Sequence, residues 1–399
     1  MKKIELLAPG GDLKRCKTAI DYGADAVYIG GKNFSLRSRA SNFTLDDIQA
    51  ACDYASKHQA AIHVVVNIIP HDEDLKGLEE YLIALEKAGV TAIIAASVTI
   101  LKTARKVAPK LQRHLSTQMS SLNSATVKFY ESLAIDRVVL GRECTMAEIA
   151  AISANSQIEL EAFIHGAMCA NYSGRCTISN ALTLRDANRG GCAQSCRWKY
   201  RLYQKEKLIS DPTYLFSMSS KDLQGSKYVK DMIDAKVSSL KIEGRMKSNY
   251  YIAQVVKTYR NLIDDIYAGK DIDYQLVNKE LSKAENRLTC DGFLSHLPDE
   301  SAHLYGVNGT GVTHDFVGLV LDYDPISQQA LVQVRNKFVQ NDLLEVFGPQ
   351  IDNKQFRVSD VYNRDEELIT VMNQPMSQVK MTIPFLVSKN DMLRKVSKK

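Results

Sequence analysis

The run SLKIEGR at residues 239–245 decides how the first two-thirds of this chain folds. It is a short apolar stretch that ends in charged groups and a glycine, and it is the eighth of its kind. The seven before it are IELLAP (4–9), AVYIGG (26–31), IHVVVN (62–67), AIIAAS (92–97), RHLSTQ (113–118), RVVLGRE (137–143) and ELEAFIHG (159–166). Amphipathic segments such as TLDDIQAACDYASKHQ (44–59) and DLKGLEEYLIALEKAG (74–89) lie between them, the second stopped by Gly89. Continuous apolar strands alternating with helices predict an α/β fold with a parallel sheet covered on both faces. Eight strand–helix units are what a closed (β/α)8 TIM-like barrel requires, and an open doubly wound sheet is the competing arrangement. No helix-opening G-x-G-x-x-G follows the first run, which counts against a dinucleotide-binding version.

More than seventy residues separate the seventh run from the eighth, far beyond an ordinary connection. An insertion is therefore expected over about 167–235. Beyond the eighth run, NYYIAQVVKTYRNLIDDIYAG (249–269) has the pattern of one more long helix, and YGVNGTGVTHD (305–315) is rich in turn formers. From FVGLVLDY (316–323) onward, short alternating runs are spaced by Asp, Asn, Gly and Pro, as in a small all-β barrel or sandwich. The resulting division is a barrel domain over 1–300, a linker over 301–315 and a β-domain over 316–399. The basic end RKVSKK reads as a frayed, solvated tail.

With 45% hydrophobic and 24% charged residues in 399, the composition is that of a globular protein large enough to bury an extensive core. A formal charge of +5 tolerates an anionic partner without requiring one. The start, MKKIELLAPGG, has no signal-peptide apolar run, and no stretch approaches the roughly 18–20 apolar residues of a membrane span. The expected location is the cytoplasm, away from membranes, where thiols stay reduced. Cys16, Cys52, Cys144 and Cys290 fall in periodic segments and read as small buried residues.

The other four cysteines, Cys169, Cys176, Cys192 and Cys196, fall within 28 residues at the start of the insertion. Six, fifteen and three residues separate them, without the C-x2-C knuckles of a zinc ribbon. Four thiolates in that segment can hold zinc or a [4Fe–4S] cluster or carry no metal. Irregular spacing among glycines suits the larger cluster better.

A barrel places its site at the carboxyl ends of its strands. Asn67, Ser116, Gln118, Arg142, Glu143, His165, Lys241, Glu243 and Arg245 land there, with Gly30, Gly31 and Gly166 expected to let a ligand approach closely. His165, Lys241, Glu243 and Arg245 are the catalytic candidates. Arg37, Arg39, Gln118, Arg142 and Glu143 are candidates for binding a carboxylate-bearing substrate. Glu161 and His165 stand four residues apart on one strand, about 13 Å at roughly 3.3 Å per residue, too far to share an ion. H-E-x-x-H, G-x-S-x-G and Walker A motifs are all missing. After the last cysteine, RWKYRLYQKEK (197–207) interleaves cations with aromatics, a pattern that can track phosphates and stack bases or can be a plain solvated strand. Arg197, Trp198, Lys199, Tyr200 and Arg201 are the RNA-binding candidates.

The segment EAFIHGAMCANYSGRCTIS (161–179) resembles the signature of the collagenase-like peptidase family, unclassified family thirty-two. Glu161, Phe163, Gly166, Cys169, Gly174, Cys176 and Ser179 carry the match. LLAPGGDL, AVYIGG, HLSTQ, RVVLGRE, SLKIEGRMKS and RNKF are similar to the family too, so the resemblance spans nearly the whole chain. Within that family the layout is most similar to the tRNA uridine hydroxylation factors, which work with prephenate to form 5-hydroxyuridine at the wobble position. The resemblance implies a [4Fe–4S] cluster on Cys169, Cys176, Cys192 and Cys196, with zinc as the alternative metal. It also implies tRNA as partner, prephenate (a small dicarboxylate) as co-substrate, and a homodimer or second family member as a further partner. The alternatives are the proteolysis of the family's name and a non-catalytic interaction protein with a structural cluster.

Overall fold

The structure is a computed structural model and describes residues 3–36, 42–213, 215–284, 287–304 and 315–396. All eight expected strands are present: β1 (Glu5–Gly10), β2 (Ala26–Gly30), β3 (Ala61–Val66), β4 (Ala92–Ala95), β5 (Gln112–Leu115), β6 (Arg137–Val139), β7 (Glu159–Gly166) and β8 (Ser239–Ile242). Each pairs in parallel with its neighbour, and β8 pairs with both β7 and β1, so the sheet closes into a barrel. That closure decides against the open sheet.

The helices begin where short polar side chains can satisfy exposed backbone donors. Thr44 and Thr145 form capping boxes with Asp47 and Glu148, while Asp12, Asn123 and Ser248 each accept from a backbone N–H three residues on. Gly89 ends its helix at φ +81°, a conformation costly for any residue with a Cβ. The long helix Asn249–Tyr267 follows β8 and buries one face against the barrel, from Tyr250 and Ile252 to Leu262 and Ile263. Of the scattered cysteines, Cys16, Cys52 and Cys144 are buried as expected, while Cys290 is only partly covered.

The barrel interior is less apolar than the continuous runs suggest. Arg137 lies across it and donates to Glu5, Glu159 and Glu161, and Lys241 Nζ donates to Glu161 Oε1 at 2.7 Å. His63 and His114 pack edge to face beside them, with ring centroids 4.9 Å apart. Burying such charges is tolerable only because each has a partner.

The insertion does not stay separate from the barrel. Its segment Asp222–Gln224 pairs antiparallel with the end of β7, and Thr289–Cys290 then pairs with that segment. The carboxyl-terminal domain is all-β, an antiparallel sheet of eight strands with a two-stranded sheet beside it. The expected frayed tail is corrected over Arg394, Lys395 and Val396, while residues 397–399 lie outside the described residues. Met392–Lys395 is an inner strand, flanked by Leu343–Gly348 and Phe316–Asp324. Arg394 is fully buried, donating to Glu345 Oε1 at 2.7 Å and to Gln254 Oε1 on the barrel's last helix. Lys257 from the same helix donates to the carbonyls of Gly348 and Ile351, so polar bonds fasten the two domains together. Most of the expected linker, and Arg37 and Arg39, lie outside the described residues.

Candidate functional site

A cavity of about 210 Å³ opens at the carboxyl ends of the strands, and both halves of the expected site meet in it. The barrel contributes Tyr28, Asn67, Ser116, Gln118, Arg142, Glu143, Phe163, Lys241, Glu243 and Arg245. The insertion contributes Cys169, Cys176, Cys192 and Cys196.

The insertion reaches this position as a strap tied down at both sides of the mouth. Past β6, Glu143 accepts from the Ser173 backbone N–H at 2.5 Å and from its hydroxyl. Past β3, Ile69 N–H donates to Asn188 O, and Arg189 makes paired bonds to Asp74 and a further one to Glu73. Asn188 also holds Cys176, donating to its carbonyl and accepting from its N–H. Glu143 is therefore a tether for the strap. Its sequence signal was correct in place and silent about that partner.

The four thiols at the cavity are donors of the kind a metal–sulfur group takes. All eight cysteines are free. Backbone N–H groups of Asn171 and Ser179 donate to Cys169 Sγ and Cys176 Sγ, each at 3.5 Å. Burial first, then the neighbouring Cys169, pushes the Cys196 thiol up, and Cys192 and Cys176 act in the same direction. The four thiols line one cavity, and among the described residues no group of three or more His, Cys, Asp and Glu side chains is placed to hold a single metal ion.

On the barrel side, Arg142 lies flat on Phe163, its Cζ 3.9 Å from the ring centroid, and donates to Ala167 O. Lys241 sits over the rings of Tyr28 and Phe163 at 4.5 and 5.4 Å. Tyr28 donates to Glu243 Oε2 at 3.1 Å, and Arg142 stands 3.7 Å from the same oxygen. Arg245 is buried and donates to Ser35 Oγ. Gly30 makes this possible, because a Cβ there would lie 1.9 Å from the Arg245 guanidinium. Gly31 and Gly166 likewise give way to Tyr81 and to the Glu243 backbone, so these close approaches are to protein atoms and not to a ligand.

His165 is the residue the structure moves. A bulge in the β7–β8 register between Lys241 and Ile242 sets His165 beside Ile242, out of step with Glu161 and Phe163. Its ring packs on Tyr251 and Tyr259 behind the barrel wall, with Nδ1 3.2 Å from the Tyr259 hydroxyl. Tyr28 and Phe293 carry no signal in the sequence reading, and Phe163 enters it only through the family signature, although Tyr28 shares the inward face with Gly30 two residues on.

Beside the cavity, the chain after Cys196 forms a small exposed hairpin pairing Tyr203–Gln204 with Lys207–Leu208. Trp198 and Tyr203 are about half exposed, Lys199 and Arg201 are exposed, and Arg197 and Tyr200 are partly covered. Residues 167–235 hold eleven lysines and arginines against six acids, a net +5 that equals the formal charge of the whole chain.

Fold and site together define a (β/α)8-barrel protein whose mouth is crossed by a cysteine-bearing strap. The chain belongs to peptidase family U32: that family's model matches residues 11–303, and the model of its C-terminal domain matches 312–394. It is 43% identical to tRNA hydroxylation protein P1 of Bacillus subtilis, over 99% of this chain and 95% of that protein. It is 34% identical to tRNA hydroxylation protein P of Haemophilus influenzae, over 92% of this chain and 90% of that one. A collagenase of Porphyromonas gingivalis is 32% identical over 77% of each. Among the described residues no helix is long and apolar enough to cross a membrane.

Proposed function

We propose that this chain is an RNA-modifying enzyme that hydroxylates C5 of the wobble uridine of tRNA, with prephenate as co-substrate and a [4Fe–4S] cluster on Cys169, Cys176, Cys192 and Cys196. One observation carries the reading: the four thiols and the polar barrel rim line a single cavity. The near-full-length likeness to proteins named for tRNA hydroxylation supports it. A cluster held by these thiols supplies one-electron transfer when bound.

The protein's own groups then have distinct tasks. Arg142, Lys241 and Arg245 offer positive charge to a carboxylate-bearing co-substrate, two of them lying on aromatic faces. Glu243, fixed by Tyr28, is the carboxylate placed to accept a proton at the cavity. Trp198 and Tyr203 offer exposed rings to unstacked bases, and the net charge of the strap attracts the phosphates. The relative named as a collagenase favours a second reading, peptide hydrolysis in the same cavity.

The deciding experiment compares tRNA nucleosides by mass spectrometry between wild-type and deletion strains. We expect 5-hydroxyuridine and its derivatives to disappear on deletion and to return with the wild-type gene but not with Cys176→Ala. Identical nucleosides in the two strains, with gelatin cleaved by the purified protein, would replace this reading by the second.

A further inference from the structure

The hydrogen bonds around Gln118 form a chain in which each link fixes the next. The Leu36 backbone N–H donates to Asn67 Oδ1 at 3.3 Å, which turns the Asn67 amide nitrogen toward Gln118. Asn67 Nδ2 then donates to Gln118 Oε1 at 3.2 Å, and Ser116 Oγ donates to the same oxygen at 3.3 Å. Exchanging O and N on Gln118 would set two NH2 groups against each other, so the network determines the orientation. The other end of the amide, Nε2, is left without a hydrogen-bond partner among the described residues, although Gln118 is only 3% exposed and lines the cavity. An unmet buried donor is costly, and a bound acceptor removes that cost.

The surroundings indicate which acceptor. Arg142, Lys241 and Arg245 outnumber Glu143 and Glu243 in the wall of the cavity, and Glu143 is taken up by Ser173, so the complementary occupant is an anion rich in acceptor oxygens. Val65, Ile94, Val139 and Phe163 line the same cavity, which gives that anion apolar surface to rest on. A small organic acid matches both features, whereas an inorganic anion matches only the first.

We infer that Gln118 Nε2 is the donor that reads a carboxylate oxygen of a small organic acid held between the barrel mouth and the cysteine strap. The choice of probe, prephenate, rests on the function proposed above.

The test is calorimetric titration of prephenate into the full-length protein, purified anaerobically, as wild type, Gln118→Met and Gln118→Glu. Gln118→Met removes the donor at similar size. Gln118→Glu keeps the acceptor oxygen that Asn67 and Ser116 use, so it guards against simple misfolding. We expect prephenate to bind on the order of 10-fold more weakly to Gln118→Met and more weakly still to Gln118→Glu, from loss of one charge-assisted bond. Near-UV circular dichroism and tRNA affinity should stay unchanged. Equal prephenate affinity in all three proteins would overturn the inference and leave the wider function standing. Loss of tRNA affinity in place of prephenate affinity would also overturn it, reassigning the donor to a base carbonyl. A wild type that binds no prephenate sinks the inference too, and the nucleoside comparison then tells whether the hydroxylation reading falls with it.

Discussion

Lys241 Nζ and Glu161 Oε1 meet 2.7 Å apart inside the barrel, with the Lys241 side chain 5% exposed and that of Glu161 fully covered. Glu161 also meets Arg137 at 3.3 Å, so one carboxylate faces two buried cations. The pair links the cavity floor to the charges at the opposite end of the barrel and fixes where Lys241 stands.

Replacing Glu161 should therefore destabilise the barrel severely. Glu161→Gln leaves Arg137 and Lys241 without their shared carboxylate, at a cost of about 3–5 kcal/mol for an uncompensated buried charge. The measurement is the urea midpoint of the purified variant. Adding Lys241→Met should recover part of the loss, because it removes the stranded cation while Arg137 keeps Glu5 and Glu159. A midpoint equal to wild type for Glu161→Gln alone would show that the contact contributes nothing.

The four insertion cysteines should bind iron as a set. Anaerobically purified protein should show broad absorbance at about 400 nm and about four iron atoms per chain. Cys176→Ala, which removes a buried thiol, should abolish both signals. One zinc atom per chain, with no iron, would mean that the strap holds a structural ion.

His165 should matter for stability and its acid dependence more than for chemistry. Burial, and then Lys247, lowers its imidazole from the ordinary value to about 3. A histidine depressed in the folded state is neutral there, and protonation favours the unfolded chain. Stability from this group is thus complete above about pH 6.5 and drains away as pH falls toward 3. His165→Gln should flatten that part of the stability–pH curve, by up to about 1.4 kcal/mol per pH unit. Hydroxylated nucleosides should persist in a strain carrying it. Their disappearance despite folded protein would return His165 to the catalytic set.

Much of this was legible because period and count survive in a single sequence. Eight apolar runs, each followed by an amphipathic helix with its cap residue, leave closure as the natural solution, and polar residues at run ends mark the mouth. What stayed hidden depends on pairing. The bulge that turns His165 away from Glu161 exists only between β7 and β8, and neither strand alone announces it. Arg394 looked like a tail residue because its partners, Glu345 and Gln254, lie 49 and 140 positions away. The same limit applies to Glu143, whose tether to Ser173 crosses the gap between a strand end and an irregular loop.

The exposed chain after Cys196 should account for much of the affinity for RNA. Trp198 is 45% exposed and Tyr203 56% in this short stretch. Stacking on an unpaired base is worth about 1–3 kcal/mol, so Trp198→Ala should weaken tRNA binding on the order of 10-fold or more. Lys199→Ala with Arg201→Ala should weaken binding differently, through phosphate charge. Each lost contact to single-stranded RNA lowers the slope of log K against log salt by about 0.7. Filter binding of tRNA across a salt series separates the two effects, since Trp198→Ala should lower the whole line and leave its slope unchanged. Lines that superimpose on wild type for both variants would move the RNA contact off the strap and onto another surface.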